Sequence, residues 1–224
     1  MSKTGKNQRQ VTHLGGFATF PDWSPDGSRI AFGGAEGSDP NDEIYTVDAT
    51  TGGGLTALTS CAGDGPGCFN DYPVYSPDGT RIAFIHADDT DVDGNAVNEQ
   101  VCVMHADRSA KTPLTFDAVE HDQVPDWSPD GTRIAFEEGS AGSSHIWVMS
   151  ADGSGQRQLK FGPGDDFGAA WSPDGTRIAF VRDLGTPDRP VMVMNADGSD
   201  QHALHPGGRQ SVPAWQPLGG GTDD

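Results

Sequence analysis

Apolar and polar positions alternate along this chain in short bursts. In one representative stretch the bursts are Val124-Pro-Asp-Trp, Thr132-Arg-Ile-Ala-Phe136, His145-Ile-Trp-Val-Met149 and Gln156-Arg-Gln-Leu159, each parted from the next by a polar cluster that contains glycine. Runs this short, rich in β-branched and aromatic residues and bounded by turn residues, predict four strands a, b, c and d joined by hairpins.

The same pattern returns along the chain: WSPDGSRIAF from Trp23, YSPDGTRIAF from Tyr75, WSPDGTRIAF from Trp127 and from Trp171, and a degraded copy, AWQPLGG, from Ala214. The equivalent positions Ser24, Ser76, Ser128, Ser172 and Gln216 are 52, 52, 44 and 44 residues apart. That is the period of a small antiparallel sheet repeated radially, as in the blades of a propeller. The predicted fold is all-β: a β-propeller of four complete four-stranded blades plus an incomplete fifth, over one domain spanning 8–218, with disordered segments at 1–7 and 219–224.

Within SPDG, proline presets φ at the first corner, the aspartate can cap nearby backbone N–H groups, and glycine takes the positive φ that closes the turn. This accounts for Asp26, Asp78, Asp130 and Asp174 without chemistry. The aromatic column Trp23, Tyr75, Trp127, Trp171 and Trp215 reads as packing between blades.

The combination W-S-P-D-G-[ST]-R-I-A-F, then I-W-V-M-x-A-D-G-S and Q-R-Q-L, resembles the TolB-like β-propeller repeat over about residues 8 to 218. The resemblance implies that strand a lines a central channel and strand d lies outermost. The a–b and c–d turns then share one face of the disc, and the b–c and d–a connections share the other, the loop face. Such propellers serve as protein-binding modules, as lids on serine peptidases and as scaffolds for some lyases.

The two ends of the chain do not complement each other. Gln8–Thr12 resembles the d strand Gln156–Lys160, and Ser211–Trp215 supplies only an a strand. Strands a and d of one sheet lie about 15 Å apart at the ~4.8 Å spacing of neighbours, so they cannot pair directly. The chain is therefore expected to be a piece of a larger propeller, or an open arc that self-associates or pairs its edges with another chain.

Length variation falls on the loop face. From the last Phe of strand b to the Ala of the c–d turn the gaps are 17, 22, 15 and 16, and from that Ala to the next Ser or Gln they are 27, 22, 21 and 20. The second blade carries its insertion between b and c, around His86 to Glu99, and the first between d and a, around Ser60 to Asn70. Charge follows length. The net charge is -19, which argues against nucleic acid and anionic membranes and favours cations and basic partners. The loop face holds Asp39, Asp42, Asp64, Asp71, Asp88, Glu120, Glu137, Glu138 and further acids against three bases, Arg182, Arg189 and Arg209.

Three groups are candidate sites. Asp89, Asp91, Asp93, Gly94 and Asn95 match the first positions of an EF-hand calcium loop; Glu99 then falls one place early, and the flanks read as strands, so a calcium loop without EF helices is the reading. Cys61 and Cys68 bracket CAGDGPGC and are placed to form a disulfide, which implies an oxidising, periplasmic or extracellular compartment, although MSKTGKNQRQ lacks a leader's apolar core. Cys102, inside VCVM, reads as a buried thiol. At the channel mouth Asp71, His121, Asp122, Asp165 and Asp166 precede strand a and are candidates to hold a divalent ion.

No G-x-S-x-G occurs in the chain, so a nucleophile elbow is missing, and of seven histidines only His121 is placed for a channel metal. No apolar stretch approaches the roughly 18 residues that would span a bilayer. The sequence favours a non-catalytic module that engages a protein or peptide of basic character through its acidic loop face, with calcium as the one expected cofactor. The alternative is the propeller portion of a serine peptidase or a carbohydrate-active lyase.

Overall fold

The computed structural model describes residues 8–39, 41–61, 68–87, 89–90, 96–97, 99–116, 121–139, 143–159, 163–205 and 212–215. The terminal segments 1–7 and 219–224, and Asp91, Asp93 and Asn95 of the calcium-loop reading, lie outside them.

Four antiparallel four-stranded sheets follow one another. The first is β1 (Gly15–Trp23), β2 (Arg29–Glu36), β3 (Glu43–Asp48) and β4 (Thr56–Ala57). The second is β5 (Phe69–Tyr75), β6 (Arg81–Ala87), β9 (Gln100–His105) and β10 (Thr112–Pro113), and its β6–β9 connection carries a small hairpin, β7 (Asp89–Thr90) paired with β8 (Ala96–Val97). The third is β11 (His121–Trp127), β12 (Arg133–Gly139), β13 (His145–Ser150) and β14 (Arg157–Gln158); the fourth is β15 (Asp165–Trp171), β16 (Arg177–Asp183), β17 (Val191–Asn195) and β18 (His202–His205). Among the described residues there is no helix. These are the expected blades, with shorter outer strands than the apolar runs suggest.

The SPDG turns behave alike in all four copies. The serine hydroxyl donates to the aspartate at 2.6 Å. The same carboxylate accepts the backbone N–H two residues on, 3.0 Å away in each case. Glycine closes each turn at φ of 68° to 71°, a conformation an L side chain adopts at a cost.

Strand b explains how the blades stack. Its side chains alternate faces. Ile82 and Phe84 pack toward the first sheet with Ala31, Ile44 and Leu58, while Ala83 and Ile85 pack toward the third with Trp127, Ile134 and Phe136. Ala135 in turn joins Trp171, Ile178 and Phe180 of the fourth. The core is thus a series of layers between sheets. Cys102 is a buried thiol in the layer between the first two.

At the aromatic column, each sheet also grips the next through a polar contact, and the residue before the aromatic decides which. Where it is Asp, the carboxylate takes the next aromatic's backbone N–H: Tyr75 N donates to Asp22 at 2.8 Å and Trp171 N to Asp126 at 2.7 Å. Where it is small and apolar, its carbonyl takes the next indole: Trp127 Nε1 donates to Val74 O at 3.2 Å and Trp215 Nε1 to Ala170 O at 2.9 Å. An arginine from the start of strand b lies over the next tryptophan, Arg81 over Trp127, Arg133 over Trp171 and Arg177 over Trp215, 4.3 to 5.0 Å from the ring centres.

The chain ends take up the places of neighbouring-blade strands without being strands. A methyl group built at Gly52 would meet the Val11 carbonyl at 2.8 Å, as one at Gly153 meets that of Leu114 at 3.1 Å and one at Gly198 that of Leu159. Val11 therefore sits where the preceding sheet's outer strand belongs, yet residues 8–14 pair with no sheet. Leu14 is buried against Phe32, Tyr45 and Val47.

Candidate binding face

The b–c and d–a connections meet on one rim. In the second sheet Phe69 is opposite Ala87 and Asn70 opposite His86. The Cys68 end of the first insertion and the start of the second therefore leave the sheet together. Cys61 and Cys68 form a disulfide across seven positions. Its loop is fastened to the first sheet's b–c connection: Asn70 N donates to Asp42 O at 2.9 Å, Cys61 N to Glu43 Oε1 at 2.6 Å and Thr59 Oγ1 to Glu43 Oε2 at 2.5 Å. Glu43 is spent on holding this rim.

The two described bases of the face are also spent. Arg182 grips Asp166 through both carboxylate oxygens, at 2.6 and 2.8 Å, and Arg189 pairs with Asp183 at 2.5 Å.

The channel-mouth residues are brought to one rim but not to one ring position. Asp122 and Asp166 share a register with Asn70, opposite Glu138, Arg182 and His86 respectively. Asp71 lies one place further on, level with Gln123 and Phe167, so on an alternating strand it faces the other way. Asp71 accepts from Thr19 Oγ1 of the first sheet at 3.2 Å and from Tyr72 N at 2.8 Å. Asp165 caps Ser144 N at 3.0 Å. His121 and Asp122 lie in β11. Among the described residues no group of three or more His, Cys, Asp or Glu is arranged to hold a metal ion.

Glu137 and Glu138, expected in a loop, instead continue β12 and are buried, as is Glu99 at the head of β9. Glu137 accepts Gly168 N from the next sheet at 2.5 Å. Burial, with Glu99 nearby, pushes its carboxyl up to about 8. Burial likewise raises Asp126 to about 7 and Asp71 to about 6, and raises Asp22, which faces Asp126 closely enough to act on it. The phrases that carry Asp22, Asp126 and Glu137, PDW and FEE, differ from copy to copy, and that variation within a repeat was the available signal.

These shifts oppose those of the turns. Asp26, Asp78, Asp130 and Asp174 are held near about 2 by hydroxyl and backbone donors. A lowered carboxyl contributes stability that is present above its unfolded value of 3.8 and lost as pH falls toward 2. A raised one contributes stability that is full below its unfolded value and lost as pH rises, here through 6 to 8. The melting temperature is therefore expected to peak near about pH 4–5. Glu137→Gln keeps an acceptor for Gly168 N, and should raise stability at pH 8 by about 1–2 kcal/mol with little change at pH 4.5. A thermal melt series checks both; a pH-independent effect of the substitution would contradict the assignment.

Stacked four-stranded blades, inner strands gripping their neighbours and long connections gathered on one rim define a β-propeller arc. Residues 67–220 match the TolB beta propeller domain, and the chain belongs to that family. It is 30% identical over 149 residues to dipeptidyl-peptidase 5 of Porphyromonas gingivalis, covering 64% of this chain and 21% of that protein. It is 52% identical over 40 residues to the Tol-Pal system protein TolB of Anaeromyxobacter dehalogenans, covering 18% and 9%. A putative TolB from Agrobacterium tumefaciens superposes with a TM-score of 0.69 at 26% identity, over 85% of this chain and 67% of that one. The chain thus aligns with only about a fifth of the peptidase and a tenth of the curated TolB.

Proposed function

We propose that this chain is a non-catalytic binding module that engages a protein or peptide of basic character through its loop face. The observation that carries this is the spent state of the face's described bases, Arg182 and Arg189, beside acids such as Asp39 and Asp42 in a chain of net charge -19. A one-signed field on one rim draws and orients a cationic partner. Calcium in the loop Asp89, Asp91, Asp93, Asn95 and Glu99 belongs to the same proposal. The backbone pairing of Asp89 with Val97 brings the ends of that loop together, and a cation would relieve its crowded carboxylates. Glu99 is buried. A periplasmic or extracellular setting fits the disulfide, and self-association through sheet edges belongs to the same reading.

Two experiments test this. Reversing Asp39, Asp42 and Asp88 to Lys together should weaken binding of a lysine-rich peptide about tenfold at low salt, with a smaller difference at high salt; equal binding by the reversed chain would refute it. Millimolar calcium should release heat in calorimetry and raise the melting temperature, and silence in both would remove the calcium part. The second reading, the propeller portion of a peptidase, is favoured by the 149-residue match to dipeptidyl-peptidase 5; turnover of a dipeptide chromogenic substrate by this chain alone would count against a purely binding role.

A further inference from the structure

At one junction, between the first and second sheets, two positions of the repeat depart together. Trp127, Trp171 and Trp215 each lie under the arginine that begins strand b of the preceding sheet, with the guanidinium carbon 4.3 to 5.0 Å from the ring centre. Tyr75 stands there instead, with a smaller ring. The residue opposite the alanine of R-I-A-F is Val103, Val148 and Val193 in the later sheets but Thr46 in the first. Arg29 turns accordingly. Its Nε donates to Thr46 Oγ1 at 2.9 Å and its Nη2 to Gly54 O at 3.1 Å, and Thr46 Oγ1 shares a 3.4 Å hydrogen bond with the Tyr75 hydroxyl. Thr46 and Tyr75 are both buried. Beside them lies a cavity of about 440 Å³ whose walls include Pro25, Asp26, Arg29, Tyr75, Asp78 and Ala106, within the size range of small-molecule sites.

We propose that this cavity binds a small zwitterion of the α-amino-acid type, its carboxylate on Arg29 and its ammonium group between Asp26 and Asp78. Charge selects the class. Arg29 makes no ion pair among the described residues, and its Nη1 takes part in neither of the contacts above. Asp26 and Asp78 are exposed at the mouth and are kept ionised by hydroxyl and backbone donors. A lone anion would meet two carboxylates of like charge, and a lone cation would meet the guanidinium. A molecule carrying both charges meets each with its opposite. Pro25 and Ala106 supply apolar wall for a short aliphatic side chain. The residues all belong to the first two sheets and their turns, on the SPDG face, so the site involves neither chain end nor the loop face. Its failure leaves the binding reading intact.

Titration of the chain with L-leucine, followed by NMR of its backbone amides, tests this, with isocaproate, which lacks the ammonium group, and isoamylamine, which lacks the carboxylate, as controls. L-Leucine should give saturable shifts around Ser28, Arg29 and Gly79, and each control should bind at least about tenfold more weakly, as expected when one charged hydrogen bond is lost. Thr46→Val combined with Tyr75→Trp rebuilds the junction in the form of the others, with Arg29 over the ring, and should abolish binding while the melting temperature holds. Arg29→Gln alone should weaken binding at least about tenfold. Thermal melts confirm that each variant is folded. No saturable shift with L-leucine up to its solubility limit would overturn the proposal. So would either control binding as tightly as L-leucine, or undiminished binding by a folded Arg29→Gln chain or a folded double variant.

Discussion

Phe136→Ala should lower the folding free energy by about 3–5 kcal/mol, the usual cost of emptying a fully buried phenylalanine site. Phe136 is 0% exposed, in the layer between the second and third sheets, enclosed by residues of both, with Trp147 on its own sheet 6.5 Å away. Strands β11 and β13, hydrogen-bonded on either side of β12, leave little room for the site to collapse. Phe32 holds the same repeat position but packs with Leu14 of the unpaired segment 8–14, a thinner cover that can close over the gap. Phe32→Ala should therefore cost less, by at least about 1 kcal/mol. Urea denaturation of both variants checks the difference. Equal losses would mean that the layers are not built as described.

Replacing Cys61 and Cys68 together by serine should lose about 2.5 kcal/mol, from the loop-closure entropy of a cross-link this short. Both sulfurs are buried, and Asn70 Nδ2 lies 3.2 Å from the sulfur of Cys61, so the pair also anchors the rim that holds Glu43 and Asp42. A reductant should lower the melting temperature of the wild-type chain and leave the double variant unchanged. A wild type indifferent to reductant would show that the cross-link does not contribute to stability.

The fold was legible because each blade repeats its own instructions. SPDG writes the turn in the serine, aspartate and glycine that close it, and R-I-A-F writes two-faced packing in its alternation. The site was less legible for a physical reason. Burial of Glu137, Glu138 and Asp71 depends on how far β12 and β5 run past the apolar core, and a carboxylate at the end of an apolar run reads as loop from sequence alone. The one-residue offset between Asp71 and Asp166 was countable in the sequence, five places before Ser76 against six before Ser172, but grouping the acids by loop passed over it. The contacts of Asp22 and Asp126 depend on the neighbouring sheet, which a reading of one blade at a time does not contain. The N-terminal Gln8–Thr12 looks like an outer strand in its residues, but it pairs with none of the described sheets.

The central claim, that a basic partner meets the loop face, is tested most directly by photo-crosslinking a lysine-rich peptide to the chain and mapping the sites. Adducts should gather on the β2–β3, β4–β5 and β6–β9 connections, near Asp39, Asp42 and Asp88. Adducts concentrated instead on the SPDG turns at Asp26, Asp78, Asp130 and Asp174, on the opposite face of the disc, would contradict it.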